Sequence, residues 1–217
     1  ENPRVYGQIV HPGFDPISGL NGVLLGDNPI QTNPQAILMG ENIFFNFITH
    51  GEWGEIQQYY LVLDSDLNAI GDINGNIVHL NDFGYNQSYS SIAYGKDGYT
   101  YLAYSDMYWD YDIFLQKYDE QGNPQWDGGG IAVTTEGNDQ YTKTIEPLED
   151  GGVIVVWEGG DGWIFDIFVQ GIDGNGNIAE GWSTEPINVA IGDGDQLAPK
   201  SIYTPTGTFI AWHDNRD

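Results

Sequence analysis

The sequence predicts an all-β fold, a four-bladed β-propeller of four-stranded antiparallel blades, and three observations lead there. A Gln recurs at Gln31, Gln87, Gln140 and Gln196, with a large aromatic following at Phe47, Tyr104, Trp157 and Trp212. A unit of about 55 residues that repeats four times is the signature of a radial or stacked β architecture. Thirty glycines and many Asp-Gly and Gly-Asn pairs punctuate short alternating apolar runs, and no long stretch has helical spacing. The two chain ends carry complementary parts of the unit.

Within a unit four strands follow the Gln. Strand a carries the Ile, around Ala36 to Met39, Ser90 to Tyr94, Thr144 to Leu148 and Ser201 to Thr204. The turns MGEN, KDGY, EDGG and TPTG come next, with residues that tolerate positive backbone angles. Strand b is the aromatic run, apolar enough for burial on both faces. Strand c is YYLVLD (59–64), DIFLQKYD (112–119) and DIFVQGID (166–173), closed in the last two by DEQGN and DGNGN hairpins. Strand d is NIVHL, GIAVT and INVAI. Residues 5–10 (VYGQIV) read as a strand c and 21–26 (NGVLLG) as a strand d, while a strand b ends close to Asp217. The expectation is one domain over 1–217, with repeats near 31–80, 87–135 and 140–191 and a fourth, 196–217, completed by 1–26. The N-terminal strands c and d then pair with the C-terminal strands a and b and close the ring, or, between molecules, build a filament.

Composition narrows the partners. With 32 acidic and 6 basic side chains, a formal charge of -26 repels nucleic acid and anionic lipid and favours neutral, cationic or metal-ion partners. The same acidity also serves simply to solvate a surface. There is no cysteine, hence no disulfide or thiol chemistry. No apolar run is long enough to insert in a membrane. Few lysines, many Asn, Gly and aromatic residues, and period-built β structure point to a secreted or cell-surface bacterial protein, and the start at Glu1 fits either a processed export product or a fragment.

DIFLQKYDEQGNPQWDGGGIAVT, GGVIVVWE, DIFVQGIDGNGN and IAWHDNRD together resemble the β-propeller repeats of secreted bacterial surface proteins, in which a Trp-Asp-Arg strand end leads to Asp-Ile-Tyr-x-Gln and an Asp-x-x-Gly-Asn turn. The resemblance covers residues 112–217 well and 1–111 weakly, where LDSDLN lacks the turn glycine. It implies a secreted or surface protein, shares only blade number with haemopexin, and carries no catalytic residues.

Antiparallel strands place the b-to-c and d-to-a loops on one face. That face carries THGEWGE, SDMYWDYD, EGGDGWIFD and HDNRD. Trp53, Trp109 and Trp163 sit beside Glu52, Asp106, Asp110 and Asp161, and either stack on a ligand or cap neighbouring blades. Arg216 stands in the fourth Trp position beside Asp214, a pairing that is also explained by a local ion pair. Asp27, Asp139 and Asp195, with Asn86 in the second copy, could ring a calcium ion or make side-chain turns. Asp173, Asn175 and Asn177, and Asp72, Asn74 and Asn76, imitate calcium loops but read better as hairpins. His11, His50, His79 and His213 have no ligand spacing, and no nucleophile, zinc or phosphate-loop motif is present. The expected function is therefore a non-catalytic binding module that recognises a glycan or protein through its Trp and acid face. A self-assembling filament subunit and a carbohydrate-active enzyme using carboxylates of that face are the alternatives.

Overall fold

The computed structural model describes residues 3–10, 22–25, 31–51, 54–79, 86–204 and 206–216. Strands β1 (Tyr6–Gly7) and β2 (Val23–Leu24) form an N-terminal pair. The first large sheet contains β3 (Gln31–Met39), β4 (Asn42–His50), β5 (Ile56–Leu63), β6 (Ala69–Ile70) and β7 (Asn76–Ile77). The second contains β8 (Gln87–Tyr94), β9 (Thr100–Met107), β10 (Tyr111–Tyr118) and β11 (Ile131–Thr134). The third contains β12 (Asp139–Pro147), β13 (Val153–Gly160), β14 (Phe165–Ile172) and β15 (Ile187–Ala190). A C-terminal pair, β16 (Gln196–Thr204) and β17 (Gly207–Asp214), makes five separate antiparallel sheets among the described residues. Among the described residues no helix is long and apolar enough to cross a membrane.

The strand periodicity follows from position. β9 and β13 lie in the middle of their sheets and between two other sheets, so nearly every residue is buried, Trp157 and Tyr104 among them. Trp212 in β17 is only half-buried, because among the described residues no strand covers it as β14 covers β13, where Phe168 of β14 stacks on Trp157 at 5.8 Å. Tight turns are set by side chains: Asp64, Asp119 and Asp173 each accept backbone N–H groups two and four residues on. The sequence LDSDLN makes the same turn without glycine. Leu67 adopts φ 65° where Gly122 and Gly176 adopt 81° and 88°, and its side chain is buried in the core. Gly152 is irreplaceable in its turn, since a Cβ would lie 2.1 Å from the Ile172 carbonyl oxygen.

Every inner strand is bulged. Register shifts fall at Thr32/Gln35, Ser88/Ser91, Thr142/Thr144 and Leu197/Lys200, and Asn33, Tyr89 and Ala198 sit there with φ of 51–53°. A left-handed non-glycine residue costs about 1–3 kcal/mol and persists only where its surroundings impose it. Inner strand β8 packs on β3 and β12, and β12 on β16, so the sheets follow one another in chain order.

The closed four-bladed ring is not what forms. β1–β2 packs against the first large sheet, where Val5 and Leu25 join Phe45, Phe47, Leu61 and Leu63. β16–β17 packs against the third, through Tyr203, Ile210 and Trp212. Among the described residues no ladder links the two pairs, which stand as separate two-stranded sheets. The wedge between successive sheets is set by bulky rings, such as Phe44, Tyr60 and Tyr118 between the first and second. Side-chain bulk, which the repeat count does not encode, therefore decides whether an arc of sheets closes.

Two of the buried Gln residues join sheet to sheet. Gln31 Oε1 accepts from Val5 N at 3.0 Å, and Gln87 Oε1 from Gln58 N at 3.1 Å. Gln87→Ala strands the Gln58 N–H and is expected to cost about 2 kcal/mol in chemical denaturation. Gln196, whose Oε1 has no partner among the described residues, should lose less on the same change. Equal losses at the two positions would remove the bond to Gln58 as the cause.

Candidate functional site at one end of the second sheet

The end of β9 and the start of β10 bring carboxylates together. Asp106 lies directly opposite Asp112 across β9 and β10 and opposite Gln87 across β8 and β9. Residues so paired have Cβ atoms about 4.5–5.5 Å apart and share one face. Asp106 is buried; its Oδ2 accepts from Gln87 Nε2 at 3.0 Å and lies 3.0 Å from His79 Nδ1. Asp112 differs. Burial, followed by the negative charges of Asp110 and Asp106, pushes its carboxyl up to about 6, and its buried Oδ1 has no hydrogen-bond partner among the described residues. Two neighbouring carboxyls thus have different tasks available, one held as a hydrogen-bond acceptor and one that keeps its proton towards neutral pH.

The other side of the same sheet end is aromatic. Tyr89 lies 4.6 Å from Tyr141 and 5.8 Å from Tyr111, and Tyr141 is 5.6 Å from Phe165. Lys143 sits 5.3 Å over Tyr89 and pairs at 2.9 Å with the buried carboxylate of Glu158, which also accepts from Ala198 N. Burial, together with the nearby Tyr111, Asp139 and Glu158, raises the Tyr89 phenol, so it stays a neutral donor. A cavity of about 540 Å³ opens beside Tyr89 and Tyr111, with Thr32, Gln35, His50, Ser88 and Ser90 on its walls. Thr32 Oγ1 lies 3.0 Å from His50 Nε2. Convergent hydroxyl, amide and imidazole groups against aromatic walls suit a polyhydroxylated ligand.

The rim residues expected from sequence fall in several places. Trp109 and Trp163 are 83% and 86% exposed. The Asp161 carboxylate accepts from Trp163 N and Ile164 N, which shapes that loop and lowers its own pKa. Asp110 is half-buried beside Trp109, whereas Asp106, expected in the loop, belongs to β9. Asp214 binds the Arg216 guanidinium, which holds it well below the usual carboxylate range; this pair sits at the end of β17, on a different sheet from Asp106 and Asp112. Trp53, Glu52 and Asp27 lie outside the described residues. Asp139 and Asp195 accept from Tyr111 N and Phe165 N, as Asn86 does from Ile56 N. Among the described residues no group of three or more His, Asp or Glu could hold a metal ion.

Sequence reasoning set His79 aside for want of ligand spacing and did not single out Asp112, Tyr89, Tyr111, Tyr141, Lys143 or Glu158. One signal was present: Asp112 recurs as Asp166 at the head of strand c, an acid placed where a strand begins. The tyrosines gave none, because their meeting depends on bulges that bring three strands together.

No family model and no curated protein matches the sequence. The structure is similar to a thermostable family-43 glycoside hydrolase at 14% identity and TM-score 0.51, over 87% of this chain and 67% of that one. It is also similar to a β-1,2-mannobiose phosphorylase from Listeria innocua, in complex with β-1,2-mannobiose, at 13% identity and TM-score 0.53. That likeness covers 88% of this chain but 56% of the phosphorylase, so the chain spans little over half of that protein's length. At such identities the likeness concerns the fold. Two expectations are nonetheless corrected. The resemblance to surface-protein propeller repeats rested on hairpin and strand motifs that report local turn chemistry, and the structural neighbours are carbohydrate-active enzymes instead. The expectation of a non-enzyme is corrected as well, since the fold is one shared with these two enzymes.

The raised Asp112 carboxyl has a pH consequence. Its native value of about 6 exceeds the ordinary 3.8, so between those pH values the native state binds more protons than the unfolded chain. Its contribution is present below the unfolded value and lost as pH rises through 6. Wild type is therefore expected to lose more melting temperature between pH 4 and 6.5 than Asp112→Asn, read by parallel thermal scans.

Proposed function

We propose that the protein is a carbohydrate-active enzyme that breaks or transfers a glycosidic bond at this end of the second sheet. The carrying observation is the opposed Asp106 and Asp112 pair, in which burial and neighbouring charge raise Asp112 while Asp106 is held by Gln87 and probed by His79. In this reading protonated Asp112 donates to the departing glycosidic oxygen, and anionic Asp106 stabilises positive charge on the sugar or accepts a proton from water. Exposed Trp109 and Trp163 offer flat apolar area to sugar rings, while the Tyr89 and Tyr111 cavity receives hydroxyl groups. We place the protein outside a bacterial cell or on its surface, where its acidic exterior suits a neutral polysaccharide. Calcium at Asp27, Asp139 and Asp195 is a separate proposal, tested by a calcium-dependent rise in melting temperature that Asp139→Asn diminishes.

Reducing-sugar release from a panel of plant and microbial polysaccharides is the test of activity. Asp112→Asn should lower kcat by about 10²–10⁴, the usual worth of a positioned proton donor. Trp109→Ala should raise KM for long substrates with little change in kcat. A panel without turnover, or an Asp112→Asn variant as active as wild type on any substrate found, would end this assignment.

A further inference from the structure

We propose that the third sheet holds a second ligand site, separate from Asp106 and Asp112, that takes the protonated amine of an amino sugar. The cavity concerned arises from a difference between two copies of the repeat. In the second sheet Asp106 stands opposite Asp112, Gln87 Nε2 donates to Asp106 and to the His79 carbonyl, and the His79 ring closes over the Asp106 carboxylate. In the third sheet Gly159 stands opposite Asp166, and Gln140 instead donates to the Asn138 carbonyl and accepts from Trp157 Nε1. A Cβ at position 159 would come within 3.0 Å of the Phe168 ring, so no counterpart of Asp106 fits there. What remains is a cavity of about 370 Å³, walled by Phe168, Asp166 and the residues that follow β11.

The lining is rich in acceptors and poor in donors. Asp166, Glu136 and Glu185 bring three carboxylates, and among the described residues no Lys, Arg or His lines the cavity. The Asp166 Oδ1 is buried and has no hydrogen-bond partner among the described residues. A buried carboxylate oxygen without a donor is costly, so the group this wall lacks is a donor, and a cationic one binds best. A metal ion is not that group, since among the described residues no three carboxylate or imidazole side chains gather closely enough to hold one. The remaining wall selects the body that carries the amine. Phe168, stacked on Trp157, offers flat apolar surface beside Ile164, and exposed Trp163 extends it at the rim. The C–H face of a sugar ring packs on such a surface while Asn138 and the carboxylates take its hydroxyls, and an ammonium beside an aromatic ring gains further attraction. A chain charge of -26 draws such a ligand in. The site stands whether or not Asp112 turns over a substrate.

The test is a titration of the whole 217-residue protein, labelled with nitrogen-15, by glucosamine hydrochloride at mildly acidic pH and fixed ionic strength. Amide signals of Thr134–Gln140 and Gly159–Phe168, with the Trp157 indole N–H, should move together to saturation. Glucose, N-acetylglucosamine and cadaverine should each bind about tenfold more weakly or worse, as each lacks either the charge or the ring. Asp166→Asn should weaken glucosamine about tenfold, and Glu136→Gln, at an exposed position where the fold is not at stake, should weaken it less. Shifts that are absent or centred on Met107–Ile113 would overturn the proposal. So would N-acetylglucosamine or glucose binding as tightly as glucosamine, which removes the amine, or cadaverine doing so, which removes the sugar. Wild-type affinity in both variants would overturn it as well.

Discussion

The structure depends on a short polar link between each unit and the one before it. Backbone N–H groups at the start of strand c have no partner within their own sheet, and the next unit supplies one. Ile56, Tyr111 and Phe165 donate to Asn86, Asp139 and Asp195, while Val5 and Gln58 donate to Gln31 and Gln87. A buried N–H without an acceptor costs about 1–3 kcal/mol, so each link fixes the height at which one sheet meets the next. Apolar packing alone, being non-directional, would not do so.

Because these links all lie at the same end of the sheets, that end is held in register across the molecule. There the inner strands are bulged and Tyr89 is forced into a left-handed conformation, which turns its ring towards Tyr111 and Tyr141. The opposite end is tied differently. Buried Lys117 donates to Asp97 and to the Gly174 carbonyl, joining the second sheet to the third, and lies 3.9 Å over Tyr99. One end of the second sheet is thus closed by turns and an ion pair, and the other carries carboxylates, rings and open volume. Asp112 belongs to this second end because strand c begins there, and its carboxyl is raised first by burial and then by the negative charges of Asp110 and of Asp106 opposite it.

Much of the fold was legible. The strand order within units, the burial of Trp157 and the Asp-led hairpins followed from period, alternation and turn chemistry. Inner strands began earlier than expected, at Gln31, Gln87 and Gln196, since a bulge interrupts the alternation that marks a strand in sequence. The candidate site was less legible. Trp109 and Trp163 stood out as loop aromatics, whereas nothing in the local pattern singled out Asp112 or Lys143. Their meaning arises from cross-strand and cross-sheet neighbours that no local pattern reports.

The sequence by itself determined the all-β class and the four-fold recurrence of its strands. These are local properties, set by side-chain alternation and backbone preference over a few residues. The tertiary structure alone decided that the end pairs stay apart and which acids face one another. Those outcomes depend on the bulk of Phe44, Tyr60, Tyr118, Trp157 and Phe168 between sheets, and on hydrogen bonds between residues about thirty positions apart. A repeat period counts units; it carries no information on the angle at which packed rings hold them.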